Sequence, residues 1–377
     1  MVICRKFILV FLTQSLVLAL IGCSQSSAPN GINYSKLATE IPVTRAQCNP
    51  FGNPQRPRND TLGDVELGIT TCLGGGARLP DWTDPNGTTR RACIFDPGTA
   101  TPERKLPLVV YLQASGFPAD LQIPLTTMTQ HLSTANVSDD PQRPGFILLA
   151  PIGRITDHFY PAPNNTNTVG WDVWYRQFLP ITRIVNGVEY PENPDFATID
   201  HYIQDQIATG RVDTNRIYML GWSNGSALSL LYGQNRSFVA AAALYSGPDP
   251  YDSLSDTCGQ MPTTKSPKND TELQVFNPSI PVYHIQNNCD TSATCPNGLA
   301  LRDKLIKSGT AEIKHQIITG GLDRAATDQC IASCGTNPRG DENNLEAKTT
   351  GQANHLLWPL PWTDSFIEFM RTHPLEK

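Results

Sequence analysis

The chain has 377 residues, 39% of them hydrophobic and 17% charged, which fits one large α/β domain of roughly 250–300 residues plus flanking segments. Its formal net charge is −6, and no cluster of five or more Lys and Arg residues occurs, which argues against the concentrated basic face that nucleic-acid binding needs. With 31 Pro and 28 Gly, long ordered loops are expected between the core elements.

In chain order, Arg5 and Lys6 form a short basic region before the apolar run Phe7–Leu20. That run is shorter than the roughly 20 residues a bilayer span needs, so residues 1–22 read as an export signal. The run ends in Leu20-Ile21-Gly22-Cys23, which resembles the lipobox of bacterial lipoproteins and makes lipidated Cys23 the expected mature N-terminus. The alternative is a plain secretory signal with an incidental Cys. The expected location is a bacterial membrane, outer membrane or cell surface, and otherwise periplasmic or extracellular. Residues 23–47 are polar and weakly patterned, as expected of a flexible lipid-anchored tether, and residues 48–377 form the folded domain.

Within that domain, Val65–Thr71 and Arg91–Phe95 read as early strands. Pro107–Leu112 and Phe146–Ala150 are nearly all apolar, as strands buried on both faces of a parallel sheet are. Phe196, Ile199, Ile203 and Ile207 recur at helical spacing over Phe196–Gly210, and Gly210 is a suitable stop. Strands follow at Arg216–Leu220 and Phe238–Tyr245, with a helix over Asn224–Gly233 between them. Strands at Pro281–Ile285 and Glu312–Ile318 and a helix over Thr363–Arg371 complete the series. This alternation predicts a mostly parallel sheet with right-handed crossovers and flanking helices. The long loops 153–194, 248–279 and 319–354 are expected to build a substrate pocket.

Setting aside Cys4 and Cys23 leaves Cys48, Cys72, Cys93, Cys258, Cys289, Cys295, Cys330 and Cys334, an even number in an oxidising compartment. Four disulfides are the natural reading. Spacing leaves the connectivity open, with Cys289–Cys295 and Cys330–Cys334 near enough in sequence to pair locally. The rival reading is a thiolate metal site, but no His stands at finger-like spacing, so none is expected. Nothing else calls for a cofactor.

The sharpest feature is Gly221-Trp222-Ser223-Asn224-Gly225, set between a predicted strand and a predicted helix. That strand–turn–helix context is the one a nucleophilic serine needs. The turn exposes the hydroxyl at a helix N-terminus, and bulky residues two positions to either side would clash. A tight β–α turn without chemistry is the bland alternative. A serine hydroxyl becomes a nucleophile only when an oriented base takes its proton. In the α/β-hydrolase order of Ser, then acid, then His, the base must follow Ser223. His284 and His315 fall inside predicted strands and His373 lies beyond the last helix, which leaves His355. For the acid, Asp290 follows the strand Pro281–Ile285 by a short loop, with Asp249 second and Asp323 third. The expected oxyanion donors are the backbone N–H groups of Asn224 and of Ser115, in the loop after Pro107–Leu112.

At these residues the chain resembles the secreted esterases related to poly(3-hydroxybutyrate) depolymerases and feruloyl esterases. The similar segments are Val212–Gly225, the run from Pro281 to Asp290, and Asn354-His355-Leu356-Leu357-Trp358-Pro359. The likeness spans about Leu106 to Arg371. It implies an α/β-hydrolase fold with Ser223, Asp290 and His355 as the triad. One departure bears on substrate: Gln113-Ala114 stands where the family usually has His-Gly.

Three functional readings follow. The first is a secreted esterase acting through an acyl-enzyme on an ester, polymeric or polysaccharide-linked. Trp171, Trp174, Tyr175 and Trp222 are the candidates for an aromatic pocket. The second is a peptidase or amidase with the same triad, and the third a catalytically inactive surface binding lipoprotein, for which Gln113-Ala114 is the one supporting feature.

Overall fold

A computed structural model describes residues 72–84, 89–116, 119–156, 168–171, 182–185, 188–191, 194–250, 280–290, 292–310, 312–320, 324–331, 351 and 353–375. The signal and tether, the expected strand Val65–Thr71, and Cys23, Cys48, Cys258, Cys334, Asp323, Trp174 and Tyr175 lie outside the described residues.

The apolar runs build a sheet of nine strands: β1 (Ala77–Arg78), β2 (Ala92–Phe95), β3 (Leu106–Leu112), β4 (Ile147–Pro151), β5 (Val212–Trp222), β6 (Ala241–Tyr245), β7 (Val282–Asn287), β8 (Ile313–Ile318) and β9 (Ala326–Thr327). Their order is β1-β2-β4-β3-β5-β6-β7-β8-β9. The run from β4 to β8 pairs in parallel. The pairs β1–β2, β2–β4 and β8–β9 are antiparallel. The described helices are α1 (Ala119–Thr126), α2 (Met128–His131), α3 (Pro194–Ala208), α4 (Asn224–Gly233), α5 (Cys295–Lys307) and α6 (Thr363–Thr372).

Strand β3 shows why both faces must be covered. Its side chains alternate between Leu106, Leu108, Val110 and Leu112 on one face and Val109 and Tyr111 on the other, and all are buried. The first set packs in one core with Phe196, Ile199 and Ile203 of α3, Leu228 and Leu231 of α4, and Leu301 and Leu305 of α5. The second packs with Ile123 of α1, Met128 of α2, and Phe366, Phe369 and Met370 of α6. A mostly parallel sheet with helices on both faces, and a serine turn at the end of its central strand β5, is the α/β-hydrolase fold.

Several boundaries differ from the sequence reading. Strand β6 begins at Ala241 rather than Phe238, because Val239 closes a turn onto the Arg236 carbonyl at 3.2 Å. Helix α5 falls where no element was expected; its proline, Pro296, stands in the first turn, where the missing N–H has no intrahelical acceptor. Helix α1, likewise absent from the expected elements, carries Pro124 inside it. The expected loop 153–194 contains two antiparallel ribbons, Arg154–Thr156 with Thr168–Gly170 and Thr182–Val185 with Val188–Pro191.

Neither of the two local pairings that sequence proximity left open, Cys289–Cys295 and Cys330–Cys334, forms. Cys295 bonds Cys330, and Cys72 bonds Cys93. Both Cys295 and Cys289 are disulfide-bonded, but not to each other. Cys295 opens α5 while Cys289 sits in the preceding turn, so β9 and its tail, folding back along β8, bring Cys330 to the helix start instead. Oxidised sulfurs at 289, 295 and 330 also remove the thiolates a metal reading of this region requires.

Candidate active site

Strand β5 ends at Trp222 and α4 begins at Asn224, leaving Ser223 to make the whole reversal at φ 56° and ψ −121°. A side chain there costs of order 1–3 kcal/mol of backbone strain. The bend is held by the Ser223 N–H donating to the Tyr245 carbonyl at 2.9 Å and by the complete burial of α4. The flanking glycines answer a close approach of backbones. A Cβ on Gly221 would strike the Gly225 carbonyl and Ser226, and one on Gly225 would strike the carbonyls of Leu112 and Gln113, all far closer than 3.0 Å.

His355 arrives on the helical turn 353–356, and Asp290 on the turn after β7. Ser223 Oγ lies 2.7 Å from His355 Nε2, and His355 Nδ1 lies 2.9 Å from Asp290 Oδ2. A carboxylate is an acceptor, so Asp290 selects the tautomer with hydrogen on Nδ1 and leaves Nε2 to accept the serine proton. The other carboxylate oxygen, Asp290 Oδ1, accepts the N–H groups of Ser292 at 2.8 Å and Ala293 at 2.9 Å, which fixes the acid's orientation. Asp290 is fully buried, while Ser223 and His355 are 5% and 6% exposed. Asp249, the second candidate acid, is paired instead with Lys304 Nζ.

The two loops are tied to the scaffold through backbone carbonyls. Trp222 Nε1 donates to the His355 carbonyl at 2.9 Å, and Asn354 Nδ2 donates to the Cys289 carbonyl at 3.0 Å. The Tyr245 hydroxyl lies 2.7 Å from the Leu357 carbonyl and 3.0 Å from that of Asn354, and it accepts from Arg324 Nη1 at 2.6 Å. Burial pushes the Tyr245 phenol up to about 12, so it stays a neutral donor. Sequence reasoning missed Tyr245, Asn354 and Arg324. The one signal for such a role was the position of Trp222 inside the pentapeptide.

The loop after β3 is equally constrained. The Ala114 N–H donates to Gln122 Oε1 at 2.8 Å, and the Tyr111 hydroxyl donates to the same oxygen at 2.7 Å. The Ala114 N–H is therefore occupied, whereas the backbone N–H groups of Ser115 and Asn224 donate to nothing among the described residues. As candidate pocket residues, Trp171 and Trp222 are corrected. They are 0% and 2% exposed, too deep to line a pocket, and both indoles are spent on carbonyls: Trp171 Nε1 on Gln113 and Trp222 Nε1 on His355.

No protein-family model matches the chain. No curated protein matches it in sequence. Among solved structures, it is similar to a thermostable esterase at 17% identity and TM-score 0.47, covering 80% of this chain and 64% of that one. It is also similar to Arabidopsis thaliana SOBER1 (14% identity, TM-score 0.41, 70% of this chain and 98% of that one). A third likeness is to the Pyrococcus horikoshii acylaminoacyl peptidase (11%, 0.41, 80% and 42%). The chain thus spans less than two thirds of the esterase and of the peptidase. Likeness at this level speaks to neither activity nor substrate.

Proposed function

We propose that this chain is an exported serine hydrolase that cleaves carboxylic esters through an acyl-enzyme. Ser223 attacks the carbonyl, and His355 takes the serine proton and returns it to the leaving alkoxide. Asp290 orients His355 and stabilises its cation, and a water activated by the same imidazole then releases the acid. Asn224 and Ser115 receive the oxyanion on their backbone N–H groups. The observation that carries this reading is the continuous Ser223–His355–Asp290 chain, with links of 2.7 and 2.9 Å, on a strained serine turn. A turn that stores strain and spends two buried polar side chains on one hydroxyl has no purely structural need for them.

The substrate class is an ester of apolar or polymeric character, a polyester such as polyhydroxybutyrate or feruloyl and acetyl esters of polysaccharide. Support comes from Leu356 and Leu357, which follow His355 in the chain and are 43% and 48% exposed, two apolar side chains left open to a partner. Lipidation at Cys23 and export rest on the signal-like N-terminus, and labelling of the cell-expressed protein with a fatty-acid probe, lost in Cys23→Ala, tests them.

The activity test uses matched p-nitrophenyl esters and anilides of one acyl group, with fluorophosphonate labelling. Ester hydrolysis and labelling are both expected, and both are lost in Ser223→Ala, with a fall of about 10⁶ in kcat as for other triad serines. Faster anilide than ester turnover would make the chain an amidase. Absence of labelling would make it a binding protein on a hydrolase scaffold.

A further inference from the structure

The peptide between Gln113 and Ala114 is gripped at both ends: its carbonyl accepts Trp171 Nε1 at 3.0 Å and its N–H donates to Gln122 at 2.8 Å. Trp171 is gripped in turn by the residue that follows the nucleophile. The Trp171 N–H donates to Asn224 Oδ1 at 2.6 Å, and Asn224 Nδ2 donates to the Trp171 carbonyl at 3.1 Å. One carboxamide thus satisfies both backbone groups of a single residue, as a neighbouring strand would. Trp171 and Asn224 are fully buried, so these bonds are made away from water, where their loss is most costly.

Three segments meet here that are far apart in sequence: the loop 113–115, the strand end Thr168–Gly170 with Trp171, and the serine turn. Two of them carry N–H groups that have no acceptor among the described residues, Asn224 in the turn and Ser115 one residue beyond the gripped peptide. No direct hydrogen bond joins those two segments among the described residues. Their direct contact is the packing of Gly225 against the Leu112 and Gln113 carbonyls. The polar link between them runs through Trp171.

We infer that the Asn224 carboxamide and Trp171 are positioning residues for the oxyanion site, setting the separation and aim of the Asn224 and Ser115 N–H groups. The inference rests on the esterase reading above. An oxyanion gains most from donors already pointed at where its charge develops, so fixing both donors through one indole and one carboxamide favours the transition state over the bound ester. The assignment also gives Asn224 two separable roles, since its backbone N–H survives any substitution of its side chain.

The test compares the full chain with Asn224→Ala, which keeps the backbone donor and deletes the clamp, and Trp171→Phe, which keeps an aromatic ring but removes the Nε1–H bonded to Gln113 together with part of the buried ring. Each is assayed for kcat and KM on a p-nitrophenyl ester, for active-site titre, and for inhibition by a trifluoromethyl ketone, whose adduct with serine carries the oxyanion. Asn224→Ala is expected to lower kcat roughly 10- to 100-fold with KM within about threefold, and to weaken the ketone by a matching factor. Trp171→Phe is expected to shift both in the same direction by less. Unchanged kcat in Asn224→Ala overturns the inference. So does a lowered kcat with unchanged ketone affinity, or a lowered titre in which each titrated site turns over at the wild-type rate. If Asn224→Ala does not fold, the same criteria apply to Trp171→Phe. A wild-type chain that neither labels at Ser223 nor cleaves ester defeats the esterase reading instead.

Discussion

Tyr245→Phe isolates what a single hydroxyl does for the catalytic histidine. The ring stays: it packs against Trp222 at 5.9 Å and Trp358 at 5.5 Å between centroids, and phenylalanine preserves those contacts. What goes is an oxygen that accepts from the Arg324 guanidinium and gives its one proton to the carbonyl of Leu357 or of Asn354. Arg324 is 3% exposed and its Nη2 already lacks an acceptor, so the deletion leaves a buried cation with less compensation. A hydrogen bond to a charged group contributes about 1.5–3 kcal/mol and a neutral one about 1 kcal/mol, so the expected loss is about 3 kcal/mol. For a domain of about 300 residues that lowers Tm by roughly 4–6 °C. Because Asn354 and Leu357 bracket His355, the imidazole loses alignment as well, and kcat should fall roughly 10-fold or more with KM little changed. Scanning calorimetry and ester kinetics on the same preparations measure both quantities. A Tm within 1 °C of wild type together with unaltered kcat would refute the claim that this hydroxyl holds the histidine loop.

Three further substitutions test other parts of the structure. Gly225→Ala places a Cβ against two backbone carbonyls that cannot rotate away; a loss of about 1–3 kcal/mol, read from the urea midpoint, should accompany a much larger loss of ester turnover. Replacing Cys295 and Cys330 together by Ser opens a loop of 35 residues and should cost about 4 kcal/mol by chain entropy, and an unchanged denaturation midpoint would exclude the pairing. His284 and His315 are register partners with rings stacked at 5.1 Å, and burial lowers the His315 imidazole to about 4, reinforced by the nearby Arg302. The folded pKa lies below the ordinary 6.5, so the unfolded chain binds the proton first. Stability is full above 6.5 and falls as pH drops toward 4, by roughly 3 kcal/mol from His315. Urea midpoints across that range should flatten in His315→Gln, and an equally steep acid limb in that variant would assign the loss elsewhere.

How much of this was legible in the sequence depended on whether the signal was local. Strands β3 and β4 announce themselves as short apolar runs because both of their faces are buried, and α3 does so through its 3.6-residue spacing. The serine turn is local too, since its glycines, strand and helix all lie within 25 residues. Asp290 and His355 were reached by position and elimination, which works because open α/β sheets carry their sites at the carboxyl ends of the strands. Helix α5 stayed hidden, because its buried stripe is narrow and its first turn holds a proline. The cysteine pairing stayed open in the sequence because proximity is a poor guide when a strand intervenes: Cys330 reaches Cys295 by way of β8 and β9. Trp171 and Trp222 were misread for a related reason. An indole near a serine can line a pocket or cap a carbonyl, and only burial separates the two.

The contacts that sequence left unseen share one chemistry. Trp222, Tyr245, Asn354 and Trp171 each send a side-chain hydrogen to a main-chain carbonyl of a loop that carries, or borders, a reacting group. Every residue has such a carbonyl, so no residue type marks the receiving end, and the donor's role depends entirely on the fold bringing the two together. This division also explains why the triad can be short-linked on three separate loops. The loops need not be rigid through their own sequence, because donors at the ends of β5 and β6 and on the loops themselves fix them from outside. The Ser223–His355 distance should therefore respond more to changes at Trp222 or Tyr245 than to substitutions within loop residues whose side chains face solvent, such as Leu356.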